Sequence, residues 1–410
     1  MSATHSKADW RTPTVVLVCG GLILTLGMGI RHGFGLFLQP MSADLHWGRE
    51  TFALALAVQN LVWGVSQPFA GMLADKYGSG RVILGGALLY IAGLLMMAHP
   101  GAPWQFVLSA GVLIGFGLGG CSFALVIGGF AKLLPAQWRT VAFGAGTAAG
   151  SFGQFLFSPL ASAMIDQFGW QNTLLIFAAV LLTMLPLSLA LAAPPRAPGA
   201  PSYMPPGQSA TQALAEAFGH RSYILLVLGY FTCGFQLFFI TVHLPAYLVD
   251  RGLPVSIGGW TIAVIGLFNI FGSIASGYLA NRMPKRFLLS AIYFSRSLAI
   301  LIFILLPPSP AVTLIFGAVM GLLWLSTIPP TSALVAIMFG NRWLTMLLGL
   351  AFFSHQVGGF LGVWLGGVLF ESTGSYDVIW WGTIFFGVAS AVINLPIVEK
   401  PVARPVAAAA

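Results

Sequence analysis

The sequence predicts an all-α polytopic membrane protein with twelve transmembrane helices, arranged as two pseudo-symmetric halves of six helices each. Two features of composition and patterning predict this class. Of the 410 residues, 58% are hydrophobic and only 7% are charged, whereas soluble chains usually carry about 25% charged residues. In addition, apolar runs of membrane-spanning length recur along the chain, and the pattern of the first half returns in the second.

The apolar runs are long enough for helices that cross a bilayer. A hydrocarbon core about 30 Å thick requires roughly 20 apolar residues in helical form. The runs are too long and too regularly apolar for barrel strands, which are the other structure that can span lipid. The predicted spans lie at 14–39, 50–74, 82–99, 104–131, 139–165, 172–193, 221–248, 257–281, 286–306, 310–337, 342–370 and 376–396.

The basic residues predict the orientation of the chain. With both termini in the cytoplasm, fourteen of the eighteen Lys and Arg residues fall on the cytoplasmic side, Arg49 and Arg251 fall outside, and Arg31 and Arg296 fall within spans. This is the bias of multi-pass membrane proteins towards positive cytoplasmic loops. The net charge of +8 thus reflects orientation, and because no basic patch carries interleaved aromatic residues, no nucleic-acid partner is expected. Few lysines with many Ala and Gly residues suit a GC-rich bacterium, which predicts the bacterial inner membrane.

An internal repeat divides the chain. The segment Gly71–Arg81 follows the second predicted span, and the similar Gly277–Arg286 follows the eighth, 206 positions later. Asp166–Trp170 and Glu371–Ser375 end the fifth and eleventh spans, 205 positions apart. The matching offsets predict six-helix halves at 1–193 and 221–410, joined by a cytoplasmic linker at 194–220. Repeats of this kind build transporters that rock around a central site.

The first copy of the loop has the pattern G-x-L-A-D-K-x-G-x-x-R from Gly71 to Arg81, which resembles the cytoplasmic loop motif of the major facilitator superfamily. The resemblance implies that family's fold, and it implies that Asp75 and Arg81 close the cytoplasmic gate. A carboxylate beside helix N-termini and an arginine makes charge-assisted contacts that must break on opening. The second copy has Asn281 in place of the aspartate, so a weaker gate contact is expected there. The alternative is that these loop charges only set topology.

Arg31 is the most informative residue for function. It lies inside the first predicted span, while all ten acidic residues lie at span ends, in loops or in tails. An arginine at membrane depth costs several kcal/mol unless it faces a wet cavity or a partner. We therefore expect an anionic substrate as its partner; the alternative is that Arg31 extends towards the outer face of the membrane or bonds to free carbonyls. Arg296 lies in the ninth span, which the resemblance assigns to the scaffold. We expect it to pack against span-end carbonyls or to extend inward to the membrane surface, rather than to bind substrate.

Histidines are the candidates for proton coupling, since histidine titrates near neutral pH. His32 and His355 lie within spans, and a purely structural role remains the alternative for both. In the fold that the resemblance implies, spans one, four, seven and ten line the central site. Together with Arg31, the predicted substrate-binding residues are His32, Ser122, Tyr230, Gln236, Trp324, Thr327 and His355.

A narrower resemblance concerns the first span. Gly29–Leu38 resembles the first span of monocarboxylate transporters, with His32 at the position of that family's carboxylate-binding lysine, and the oxalate/formate exchangers are similar in general pattern. The eighth span departs from the family, because Asn269 and Ser273 stand where monocarboxylate transporters carry an Asp and an Arg. The departure argues against proton coupling by that family's mechanism.

These observations predict a secondary active or facilitative transporter of small organic anions, monocarboxylate-like, that works by alternating access. Protons are the candidate coupling ions, and a monomer in the bilayer is the expected functional unit. The alternative is an exporter of amphipathic drugs or neutral solutes, in which Arg31 is structural. No nucleophile motif, metal-ligand spacing or large soluble domain points to an enzyme, and no cofactor or metal is expected.

Overall fold

The computed structural model of the protein describes residues 10–192, 208–340 and 343–402; within the helices, the side chains of 75–76, 131–132, 136–141, 143–144 and 345 are outside this description. The described part consists of helices and their connections, without strands. This confirms the predicted all-helical class.

The first half contains six spans. They are span 1, Pro13–His32 with the continuation Phe34–Phe37 and Leu38–Leu45; span 2, Arg49–Tyr77; span 3, Ser79–Ala98; span 4, Pro103–Phe106, Val107–Leu113, Ile114–Gly120 and Phe123–Leu133; and spans 5 and 6, both within Ala136–Leu181, with Met184–Leu189 after them.

The second half repeats this order after a short helix, Ala210–Gly219. Its spans are span 7, Arg221–Asp250; span 8, Val255–Ala280; span 9, Lys285–Leu305; span 10, Pro310–Leu323 and Ile328–Phe339; span 11, Leu344–Thr373; and span 12, Asp377–Asn394. The short helix lies within the predicted linker and begins with a capping box in which Ser209 and Gln212 satisfy each other's backbone N–H groups.

Within the described residues, ten segments are long and apolar enough to cross a membrane. One of them, Ala145–Leu189, would be about 68 Å long as a straight helix, more than twice the hydrocarbon thickness. It turns at Gly169, whose φ of 78° is a conformation that glycine adopts without strain, and it therefore carries two spans. Span 2 is less apolar but has 29 residues. Twelve crossings result, as the sequence predicts.

Spans 4 and 10 are interrupted near the middle of the membrane. Span 4 leaves helical geometry at Cys121 and Ser122, and span 10 leaves it between Leu323 and Ile328. The sequence predicts the second break, because prolines follow it, and does not predict the first. Broken helices are tolerated where neighbouring groups satisfy the freed backbone.

Small residues bring the two halves together. A Cβ atom at Gly35 in span 1 would collide with the backbone of Thr241 in span 7, and one at Gly367 in span 11 would collide with Ala53 in span 2. Gly266 in span 8 packs against span 5 in the same way. Such close approach of helix backbones is the usual mode of packing in membranes. The halves thus make direct contact, with the site described next between them.

Candidate functional site

Arg31 lies at the contact between the halves. It is 1% exposed and is the penultimate residue of the span 1 helix. One guanidinium nitrogen donates a hydrogen bond to Oδ1 of Asn60 in span 2 at 2.6 Å. The guanidinium carbon lies 4.5 Å from the ring centre of Phe238, in span 7 of the other half, and 5.9 Å from that of Trp63. The cation is therefore held by a neutral amide and two aromatic rings.

Several hydrogen-bond donors around Arg31 have no acceptor among the described residues. They are Nε of Arg31, Nδ2 of Asn60, Nε1 of Trp63 and Nε2 of Gln356. Gln356 reaches this region from span 11, where its side chain packs against the backbone at Gly64 of span 2. Leaving a buried donor unsatisfied costs about 1–3 kcal/mol. A free donor on the cation itself and free donors on neighbouring side chains make an environment suited to an anion with oxygen acceptors.

Five aromatic side chains, Trp63, Tyr230, Phe238, Phe352 and His355, form what we call the ring cluster. Trp63 lies 6.4 Å from Phe238 and 5.8 Å from Phe352. His355 lies 5.4 Å from Phe238, 5.7 Å from Phe352 and 5.1 Å from Tyr230, all measured between ring centres. Because Trp63 belongs to the first half and the other four to the second, the ring cluster joins the halves beside Arg31.

His355 connects the ring cluster to the polar groups of the second half. Its Nδ1 lies 3.3 Å from Oε1 of Gln356, and its backbone packs against Gly234 of span 7, next to the Cys233 thiol. That thiol in turn lies 3.4 Å from the hydroxyl of Thr327, at the break in span 10. Four of the predicted site residues, Arg31, Tyr230, Thr327 and His355, therefore belong to one contiguous arrangement.

The other predicted site residues lie elsewhere. Nδ1 of His32 bonds the Met28 carbonyl of its own helix at 2.6 Å. The side chain of Gln236 donates to the Thr383 carbonyl in span 12 at 2.9 Å. Ser122 is fully buried at the break in span 4, and its hydroxyl has no partner among the described residues. Trp324 is also buried, and its carbonyl accepts a hydrogen bond from an arginine described next.

Arg296 donates hydrogen bonds to backbone carbonyls at the break in span 10, in agreement with the expected contact with carbonyls. Its guanidinium donates to the carbonyls of Leu323, through Nε at 3.0 Å and Nη2 at 2.6 Å, and of Trp324. From span 8, Asn269 accepts a hydrogen bond from the Leu325 N–H at 3.0 Å. Nδ2 of Asn269 reaches the hydroxyl of Ser151 in span 5, at 2.9 Å. Asn269 thus binds both span 10 and the other half of the protein.

At one membrane surface the halves are joined by a charged cluster, which we call the Arg49 latch: Arg49, Asp250, Glu371 and Tyr376. The Arg49 guanidinium donates to both carboxylate oxygens of Asp250, at 2.5 and 2.7 Å, and to the Tyr376 hydroxyl at 3.1 Å. The Arg49 backbone N–H donates to Glu371 at 2.5 Å. Burial raises the pKa of the Tyr376 hydroxyl to about 12, so it remains protonated. A surface cavity of about 640 Å³ lies beside the latch, lined by residues of both halves.

At the opposite surface, the predicted gate residues are only partly described. The side chain of Asp75 lies outside the described residues, and Arg81, in the first turn of span 3, is exposed. The gate contact therefore stays a prediction. The Arg49 latch was not predicted, although charged residues at the ends of spans 2 and 7 on the same membrane side were visible in the sequence. Trp63, Phe238 and Phe352 were missed because apolar spans contain many aromatic residues.

Two six-span halves that meet around a buried cation, with a charged latch at one surface, define a membrane transporter. The model of the Major Facilitator Superfamily matches residues 17–363, and the chain belongs to this superfamily.

Among curated proteins, the chain is 29% identical to a Bacillus subtilis (strain 168) protein described as the uncharacterized MFS-type transporter YcxA, over 93% of this chain and 95% of that one. It is 26% identical to human monocarboxylate transporter 11, over 88% of this chain and 78% of that one. The crystal structure of a D-xylose-proton symporter superposes with a TM-score of 0.73 over 94% of this chain and 97% of that one. At 16% identity, the last similarity shows the fold alone.

Proposed function

We propose that the chain transports small organic anions of the monocarboxylate type by alternating access, and that Arg31 binds the substrate carboxylate. The observation that carries the proposal is the state of Arg31: it is fully buried, it faces the other half, and its hydrogen-bonding partner is a neutral amide. Burying a charge without a counter-charge is costly. A carboxylate supplies that charge, and it also supplies the acceptors that the neighbouring donors lack.

In this conformation Asn60 takes the place on Arg31 that the substrate carboxylate would occupy. Its Oδ1 accepts a hydrogen bond from the Arg31 guanidinium, while its amide nitrogen has no partner among the described residues. When a carboxylate replaces Oδ1 on Arg31, rotation of the Asn60 side chain presents Nδ2 to the second carboxylate oxygen. The exchange replaces a hydrogen bond between the Arg31 cation and a neutral amide with an ion pair between opposite charges, which can be bidentate.

In the proposed transport cycle, the Arg49 latch closes one of the two membrane surfaces. With the latch closed, the substrate reaches Arg31 from the opposite surface. With the orientation expected from the Lys and Arg residues, the latch lies at the outer surface of the bacterial inner membrane and both termini lie in the cytoplasm. Opening of the latch, with closure of the Asp75 and Arg81 contact at the other surface, then exposes the site to the outside.

For a proton symport, we assign the coupled proton to His355. Its imidazole contacts the ring cluster beside Arg31 and bonds Gln356, so a proton on it neighbours the substrate site. His32 is the second candidate, and its Nδ1 is already committed to a carbonyl of its own helix.

The test is uptake of radiolabelled pyruvate and lactate by proteoliposomes, with protein-free liposomes as background and with or without an inward proton gradient. Arg31→Gln is expected to lose saturable uptake, and Arg31→Lys to keep a weaker activity with a raised KM, because lysine retains the charge but not the bidentate geometry. Arg221→Gln, at the exposed start of span 7, is the matched control and should transport normally.

Asn60→Asp adds a second, independent variant. It places a carboxylate on Arg31, so uptake should fall while the protein stays folded by size-exclusion chromatography. Uptake that is independent of Arg31, or a panel in which no carboxylate is carried, would reject the proposal and favour an exporter of neutral or amphipathic solutes.

A further inference from the structure

The ring cluster lies where the two halves close on the substrate. Trp63 of the first half meets Phe238 and Phe352 of the second, each with its plane inclined by 66–70° to the indole. In this conformation the rings pack against one another and fill the space between the two halves. Any molecule enclosed between the halves beside Arg31 must replace these contacts and will therefore face aromatic rings from both halves.

The ring contacts continue away from the cation. Beyond Phe238, which stacks on Arg31, the imidazole of His355 lies parallel to Phe352 within 12° and is followed by Tyr230. Trp63, Tyr230, Phe238 and His355 are buried but retain 5–8% exposure. The arrangement is thus a cation at one end and an aromatic wall along the path away from it.

We propose that the substrates of this site are aryl carboxylates, in which the carboxylate is attached directly to an aromatic ring or one carbon away from it. This inference rests on the proposed anion transport and specifies its substrate class. The carboxylate binds Arg31 and the unsatisfied donors, and the ring of the substrate takes part in edge-to-face and offset-stacked contacts with the ring cluster. Each such contact adds attraction beyond that from the burial of apolar area.

The proposal separates three classes of acid. A saturated six-membered ring has a similar apolar area but lacks the positive edge and negative face that direct aromatic contacts. A short alkyl acid keeps the carboxylate and leaves the aromatic wall uncovered. An aryl carboxylate alone satisfies both ends of the site.

The experiment measures binding of benzoate, cyclohexanecarboxylate and propionate to the purified protein, from the rise in melting temperature with ligand concentration at pH 7.5, where all three acids are ionised. Binding measurements avoid the background permeation of weak acids through lipid. Benzoate is expected to bind about tenfold more tightly than cyclohexanecarboxylate, which corresponds to about 1.4 kcal/mol, and propionate should bind most weakly.

Phe352→Leu should bring the ratio of the dissociation constants of cyclohexanecarboxylate and benzoate close to one, because it removes one ring of the wall at a half-buried position. Phe360→Leu is the matched control: Phe360 is half-buried in the same span and pairs with Trp364 instead of the ring cluster, so its ratio should stay near ten. Equal binding of benzoate and cyclohexanecarboxylate by the parent protein would overturn the aryl preference while leaving anion binding intact. Absence of binding by all three acids, together with no carboxylate uptake, would overturn both proposals.

Discussion

Removal of the Asp250 carboxylate is expected to open the surface that the Arg49 latch closes. Asp250 accepts two charge-assisted hydrogen bonds from Arg49, and the side chains of Arg49 and Asp250 are 13% and 30% exposed. Exposed pairs contribute about 0.2–1 kcal/mol, and breaking a fully buried pair costs 3–5 kcal/mol. Since Arg49 keeps its contacts with Tyr376 and with the ring of Phe370, 3.9 Å away, we estimate a loss of about 1–2 kcal/mol in Asp250→Ala. That loss shifts the equilibrium towards the open latch by a factor of about 5–30.

The shift is measurable as the reactivity of a cysteine introduced at Val363. This residue lies in span 11, is fully buried, and packs into the core of the first half, so a membrane-impermeant thiol reagent reaches it only when the halves part. Labelling is compared in right-side-out and inverted vesicles, after subtraction of the reaction of the native cysteines in the chain without the substitution.

Asp250→Ala should raise the labelling rate of Val363→Cys from the latch side about 5–30-fold. Asp377→Ala is the control, because Asp377 is an exposed carboxylate at the same surface, and among the described contacts of Arg49 its side chain has no part. A change of less than twofold in Asp250→Ala, or an equal rise in Asp377→Ala, would refute the reasoning that the Arg49–Asp250 pair holds this surface closed.

Two further predictions concern the stability of the second half in detergent, measured as melting temperature. Arg296→Met should lower the melting temperature by several degrees, because the carbonyls freed by the break in span 10 lose their donor, at a cost of about 1–3 kcal/mol each. Arg282→Met, at an exposed position, is the control. Equal melting temperatures of the two variants would contradict the role of Arg296. Gly234→Ala should also destabilise the protein, by about 1–3 kcal/mol, because a Cβ atom there would collide with a carbonyl of span 11. Gly382 in span 12 is the control, since a Cβ atom there would meet no neighbouring atom within 4 Å. Gly382→Ala should therefore be neutral or slightly stabilising, and a similar response of the two glycines would show that the close approach of spans 7 and 11 does not limit stability.

Much of the architecture could be predicted from the sequence, because the bilayer constrains it strongly. Unbroken apolar runs must be helices in lipid, and repeated loops 206 positions apart predict the two halves. The prolines at 329–330 predicted the interruption of span 10, and the position of Arg296 predicted a partner among backbone carbonyls. The interruption of span 4 at Cys121 and Ser122 escaped prediction, because glycine-rich apolar sequence is compatible with a continuous helix.

The site was only partly predictable. Arg31 was identifiable from sequence alone, since a cation inside an apolar span without an acidic counterpart is costly wherever its side chain points. Which groups satisfy it depends on how spans 1, 2 and 7 cross, and no local pattern encodes that crossing. Gln236 illustrates the limit: it lies on a span expected to line the site, yet its amide binds span 12.

Hydropathy, charge placement and internal repetition, all of which are local or periodic properties of the chain, thus account for the twelve spans, the two halves and the unusual position of Arg31. The tertiary structure decided that Asn60 and Phe238 are the neighbours of Arg31, and that Arg49 and Asp250, 201 positions apart, form one latch. The physical reason is that lipid solvates every apolar helix face nearly equally well. Partner choice between spans therefore depends on the shape and hydrogen bonding of faces that meet only after the chain has folded.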